Sequence, residues 1–331
     1  MFERSRVKAD DETTGLRVPE RTIPLPAHLS AEARAFLAAH GSPGGWPALD
    51  DVAGWWKRVA AMDAMIAQRF VPKDRAACVI AERRDGGVLS YDLVPESVSP
   101  SDRRIFYDIH GGALVMGGGE TCKLRAQGMA TRVGARVVSV DYRMPPDHPY
   151  PASLDDCLTV YRALLAERDP AEIIVGGTSA GGNLAAAMVL RARDEGLPLP
   201  AAVVLISPEL DLTESGDTFF TNAGIDPMGT LMLPSLLYAG GADLADPYLS
   251  PAFGDFTRGF PPTLLTSGTR DLFLSNTVRM HRALRDAGID AELHVLEAAP
   301  HGNFGGNSPE EAGLNRDVRL FCEGRWTDAG R

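Results

Sequence analysis

No apolar run in this 331-residue chain approaches the roughly 20 residues needed to cross a bilayer, so no membrane span is expected. Basic residues are in deficit: 33 Lys and Arg stand against 44 Asp and Glu, a net charge of −11. Nucleic acid is held by clustered positive charge, which argues against it as a partner. Cysteine is scarce and scattered. Cys78, Cys122, Cys157 and Cys322 form no C-x-x-C pair, which removes a zinc or dithiol motif and reads as reduced, packed thiols. Cys122, after a glycine run, is expected to be the more exposed. There is no Gly-Lys pair, hence no Walker A loop, and no G-x-G-x-x-G follows a strand. The first 20 residues are polar and charged and lack an apolar signal core, so the expected compartment is the cytoplasm.

What the chain does contain is ordinary globular composition, 44% hydrophobic and 23% charged. Its length suits about two domains, or one α/β fold carrying insertions. Two helices are expected first, over 31–40, capped by Ser30, and over 49–70. In the second, Val52, Trp55, Trp56, Val59, Met62, Ile66 and Phe70 recur every three or four residues and predict one buried face. Residues 1–72 therefore read as an N-terminal segment and helical lid, and 73–331 as the main domain.

Strands are expected at 77–81, 88–94, 104–109, 136–140, 173–175, 202–206, 263–267 and 292–296. From 104 onward they alternate with helices over 121–132, 153–166, 180–193, 276–287 and 309–321, the pattern of a parallel sheet covered on both faces. The stretch 209–245, with Phe219, Phe220, Met228, Leu231, Met232, Leu236 and Leu237, is too long for a simple crossover. It reads as a cap inserted over the sheet's carboxyl edge, where α/β proteins place their sites.

Between the strand ending near 175 and the next helix runs Gly176-Gly177-Thr178-Ser179-Ala180-Gly181-Gly182, which contains G-x-S-x-G. The glycines allow a sharp turn that exposes Ser179 at the sheet edge, beside the positive end of the helix dipole. A serine nucleophile needs a base and an oxyanion site. After the strand at 104–109 stands His110-Gly111-Gly112-Ala113, whose consecutive glycines let backbone N–H groups point into a site, with the Ala180 N–H joining them. Among the seven histidines, His301 lies just past the last strand, where a loop can bring it over Ser179. His294 sits inside that strand and His281 on a helix. For the acid, Asp271 follows the strand at 263–267, with Asp211 and Asp226 as competitors; Asp211 could instead hold the turn after Ser207-Pro208. Ser…Asp…His is the order of α/β-hydrolases, and Ser179–Asp271–His301 is the expected triad.

Four blocks carry a family resemblance: His110-Gly111-Gly112, Asp141-Tyr142-Arg143 with Pro146 to Pro151, Gly177-Thr178-Ser179-Ala180-Gly181-Gly182, and Asp271 with His301. Together they resemble the hormone-sensitive-lipase family of bacterial esterases, the family IV α/β-hydrolases, and Thr178 is similar to its GTSAG branch. The resemblance implies an α/β-hydrolase fold with an eight-stranded, mostly parallel sheet, helices on both faces and a helical cap. It also implies His110 as a supporting motif residue, no cofactor and no metal, a small ester as substrate, and frequent homodimers. Small to medium uncharged acyl esters are expected, cleaved through an acyl-enzyme; a lactonase or acyltransferase could use the same intermediate, whereas a non-catalytic binding module does not fit the presence of His301. Where the family has a third glycine this chain has Ala113, which is expected to keep the loop's geometry unless its φ is positive. Tertiary-alcohol esters, which the longer glycine run accommodates, are thereby put in doubt.

Overall fold

Residues 18–39, 44–69, 76–306 and 308–328 are described by the computed structural model. Their strands are β1 (Cys78–Asp85), β2 (Val88–Pro95), β3 (Ile105–Ile109), β4 (Arg136–Val140), β5 (Ile173–Thr178), β6 (Ala202–Ile206), β7 (Thr263–Gly268) and β8 (Ala291–Leu296). All eight join one sheet in the order β1-β2-β4-β3-β5-β6-β7-β8; only β2 runs against its neighbours. The helices are α1 (Ala31–Ala38), α2 (Val52–Arg69), α3 (Glu120–Val133), α4 (Ala152–Glu167), α5 (Ala180–Asp194), α6 (Thr218–Thr221), α7 (Met232–Ala239), α8 (Leu274–Asp286) and α9 (Pro309–Asp328). Two helical expectations extend past these residues: His40 and Phe70 lie outside the described part of the chain. No helix among the described residues is long and apolar enough to cross a membrane.

The two sides of the sheet explain the near-continuous apolar strands. Alternate residues of β3, β5 and β6 (Ile105, Tyr107, Ile173, Val175, Val203, Leu205) pack with α4, α5 and α8, while Phe106, Ile174 and Val204 pack with α3 and α9. Each face loses its water, so each face must be apolar. Asp108, on the α3 side of β3, breaks the pattern; its carboxylate accepts a hydrogen bond from Ser139 Oγ at 2.8 Å. Helix α5 is buried almost all round, as its run of Ala, Leu, Met and Val demands.

Two sequence expectations need correction. Val52 and Trp56 of α2 are exposed, and Trp55 is the buried anchor. Adjacent residues point about 100° apart on a helix, and Trp55 alone stacks on Trp46 (centroids 5.6 Å apart) and donates its Nε1–H to the Ala48 carbonyl at 2.9 Å. Cys122 is fully buried beside Ser139, because α3 packs it against β4. In the 209–245 stretch Phe219, Met228, Leu231 and Leu237 pack with Trp55, Val59 and Met62, whereas Phe220 and Leu236 are exposed.

The chain reverses direction across the sheet at β3. From there α3 leads to β4 on one side and α4 leads to β5 on the other, so the carboxyl ends of β3 and β5 open a crevice. α5 meets that crevice closely enough that a methyl group on Gly181 would fall on the carbonyl oxygen of Ile109. Gly181→Ala should therefore lower stability by about 1–3 kcal/mol, read as a lower urea midpoint at unchanged m-value.

Candidate active site

Ser179 terminates β5 and opens α5 with φ 59° and ψ −123°. A non-glycine residue holds this conformation only where its surroundings enforce it. Here its N–H donates to the Ile206 carbonyl at 2.9 Å, and its own carbonyl accepts from Gly182, Asn183 and Glu209 N–H groups. Its Oγ lies 3.0 Å from His301 Nε2. On the other side of the ring, His301 Nδ1 is 3.3 Å from Asp271 Oδ1. The Asp271 carboxylate is fully buried and also accepts hydrogen bonds from Ser267 Oγ (2.9 Å) and the Phe273 N–H (2.9 Å).

Burial alone would push the Asp271 pKa up, but His301 and these two donors hold it below the ordinary aspartate range. The reverse balance governs His301: burial pulls its pKa down, and the Asp271 carboxylate, joined by Asp226 and Glu209, outweighs burial and raises it. At neutral pH this is an ionised carboxylate steering a histidine toward a hydroxyl.

The structure separates the three candidate aspartates by what they hold. Asp211 fixes its turn, accepting from the Thr213 N–H and Oγ1, Ser215 Oγ and Arg279. Asp226 accepts from the backbone N–H groups of Leu272 (2.9 Å) and His301 (3.0 Å) through one oxygen, tying the loop of Asp271 to the loop of His301. Only Asp271 faces the imidazole Nδ1. His294 sits near Glu292 and Asp317, and His281 near the Ala291 carbonyl, both away from Ser179.

Gly111, Gly112 and Ala180 have backbone N–H groups with no acceptor among the described residues. Gly111 abuts Ser179: a Cβ there would sit 3.2 Å from Ser179 Cβ. His110 is buried under this loop, its ring stacked on Tyr142 at 4.1 Å and its Nδ1 3.0 Å from the Gly111 carbonyl. Burial drives its pKa down to about 3, so it is a neutral prop and not a base.

Sequence reasoning did not single out Glu209. Its carboxyl is buried just beyond β6, Ser235 Oγ is 3.4 Å from Oε1, and burial lifts its pKa to about 8. The available signal was a lone Glu three residues past an apolar strand at the carboxyl edge, where solvation is lost. Ala113 also departs from expectation. Its φ is 51°, followed by Leu114 at 64°, so both occupy the left-handed region that costs L-residues about 1–2 kcal/mol. Ala113→Gly should raise stability by about 0.5–1 kcal/mol; a lower denaturant midpoint would contradict this.

A family model described as alpha/beta hydrolase fold matches residues 106–305. An esterase of Acinetobacter venetianus is 34% identical over 202 residues, covering 59% of this chain and 65% of the relative. An acetyl-hydrolase of Streptomyces hygroscopicus is 34% identical over 191 residues, covering 56% and 64%. The chain thus spans slightly under two thirds of the length of these curated relatives. The crystal structure of an esterase called E25 superposes with a TM-score of 0.86 at 34% identity, covering 93% of this chain and 98% of that one. An esterase from the bacterial hormone-sensitive lipase family superposes at 0.75 with 29% identity, covering 90% and 99%. With the family model spanning more than half of the chain and the sheet built in the same way, the protein belongs to the alpha/beta hydrolase fold family.

Proposed function

We propose that the chain is a serine carboxylic-ester hydrolase of the hormone-sensitive-lipase type, in its GTSAG branch, acting on small to medium uncharged acyl esters. The observation that carries this reading is Ser179 Oγ, 3.0 Å from His301 Nε2 and beside three backbone N–H groups that have no acceptor among the described residues. His301 takes the Ser179 proton as Oγ attacks the ester carbonyl. The resulting oxyanion is received by the N–H groups of Gly111, Gly112 and Ala180. Asp271 keeps Nδ1 protonated and offsets the imidazolium charge. His301 then returns the proton to the leaving alcohol, and a water activated by the same ring releases the acid from Ser179.

Apolar side chains support the substrate class. Trp46, Met62, Met116, Met228 and Leu231 line a cavity of about 1080 Å³ that reaches Ser179 and His301. α2 and the 209–245 stretch contribute most of them, which is the reason to read both as a lid over the site.

Hydrolysis of p-nitrophenyl esters from acetate to decanoate by wild type and Ser179→Ala tests the reading. The variant is expected to lose about 10⁴-fold or more in kcat; equal rates would remove Ser179 as nucleophile. Because His301 must be neutral and its pKa is raised from 6.5, kcat/KM should climb with pH through a midpoint above that value. Asp271→Asn should move that midpoint down and cut kcat by about 10⁴. A rate flat from about pH 5 to 8 excludes His301 as the base.

A further inference from the structure

The cavity that reaches Ser179 is larger than a small acyl ester requires, and its rear is chemically unlike its front. Behind the oxyanion loop the lining comes from the α3 side of β3 and from α3 and α9, where Asp108, Arg125, Arg132, Glu311 and Arg319 stand beside Leu124 and Met129. Gly128, between the two arginines on α3, contributes no side chain to fill the space.

Arg125 is the nearest of these cations to the nucleophile. A Cβ on Gly111 would lie 3.0 Å from Arg125 Nη1 and 3.2 Å from Ser179 Cβ, so the guanidinium sits directly behind the loop that borders Ser179. Arg125 and Arg132 are seven residues apart on one helix, about 10 Å along its axis and on the same face. Neither makes a hydrogen bond or ion pair among the described residues. The Nε atoms of Arg132 and Arg319 are buried without a partner among the described residues, although Arg319 Nη2 donates to the Thr131 carbonyl at 3.5 Å.

The carboxylates that act on the two α3 guanidiniums are Asp63, Asp108 and Glu311, and each is engaged elsewhere. Asp63 accepts from the Gly117 N–H, Asp108 from Ser139 Oγ, and Glu311 from the Gly306 N–H. An arginine offers five donors in a fixed fork that matches a carboxylate. The guanidiniums of Arg125 and Arg132 therefore line the cavity with donors that a ligand carboxylate can engage.

We propose that the rear of the cavity is a carboxylate subsite, so that substrates whose acyl group ends in a second, ionised carboxyl group are bound by Arg125, with Arg132 further in. The ligand class is the half-ester of a short dicarboxylic acid. In this proposal the acyl half, which stays bonded to Ser179, runs toward Arg125, and a glutaryl chain spans about 5 Å between its two carbonyl carbons. This inference rests on the ester-hydrolase reading and narrows it: the apolar front accepts uncharged acyl esters, and the rear adds a preference for a terminal carboxylate. The chemistry is unchanged: water is consumed, and the alcohol and the free diacid leave.

The test compares p-nitrophenyl half-esters of succinate, glutarate and adipate with p-nitrophenyl hexanoate. The measured quantity is the ratio of kcat/KM for half-ester over hexanoate. Wild type is expected to prefer at least one half-ester. Arg125→Gln should lower that ratio by roughly 10- to 100-fold, as expected for losing a hydrogen bond to a charged group, and Arg125→Lys should restore part of it. Glutarate should raise the melting temperature of Ser179→Ala and should not raise that of Ser179→Ala carrying Arg125→Gln. Hexanoate turnover without any half-ester preference would overturn the subsite and leave the hydrolase reading standing, as would a ratio unchanged by Arg125→Gln. Turnover of none of the four esters would overturn the hydrolase reading, and the subsite with it. If Arg125→Gln does not fold, the wild-type ratio and the effect of glutarate on Ser179→Ala decide the question.

Discussion

The close approach of α5 to the carboxyl ends of β3 and β5 is the constraint on which the site depends. Gly181 packs against the Ile109 carbonyl with no room for a side chain, and the chain must leave β5 and enter α5 within one residue. That residue is Ser179, held at positive φ by hydrogen bonds at both its N–H and its carbonyl. Strain of this kind persists only where the surrounding structure over-determines it. The reward is a hydroxyl raised above the sheet beside a helix N-terminus and next to the glycine loop that follows β3.

A second constraint fixes the partners of that hydroxyl. His301 and Asp271 arrive on loops after β8 and β7, and nothing in a parallel sheet by itself sets the distance between two such loops. Asp226 does so by accepting a backbone N–H from each with a single carboxylate oxygen. The carboxylate that looks like a rival acid in the sequence is therefore a clamp.

Burial then sorts the charges. His110 is driven neutral, and Asp108 and Glu209 are pushed up to about 6 and about 8, because an isolated charge in the interior loses its hydration. Asp271 escapes this fate because His301, Ser267 and the Phe273 N–H all stabilise its ionised form. The side-chain alternation of β3 carries the same logic to the rear of the cavity: Ile105, Tyr107 and Ile109 face one helical layer, and Asp108 is turned toward the arginines of α3.

The sequence by itself determined the elements and the types of chemical group. The apolar segments that became β3 to β7 read as strands buried on both faces, whereas β1 and β8 at the sheet's edges stay largely open, and a serine between glycines straight after a buried strand reads as a sharp turn. His301 was legible because its position after the last strand places it at the same edge as Ser179. The tertiary structure alone decided matters of direction and distance. Trp55 and Trp56 are equally apolar, but only packing against Trp46 chooses between them. Asp211, Asp226 and Asp271 are chemically identical, and only the loop paths decide which faces Nδ1. Ala113 gave no sign of its positive φ, since that angle belongs to a turn closed after folding by the Val115 and Met116 N–H groups on the Gly112 carbonyl. Arg125 and Arg132 read as ordinary polar helix positions until α3 is laid on the sheet, because a helix has no inside until it has a neighbour.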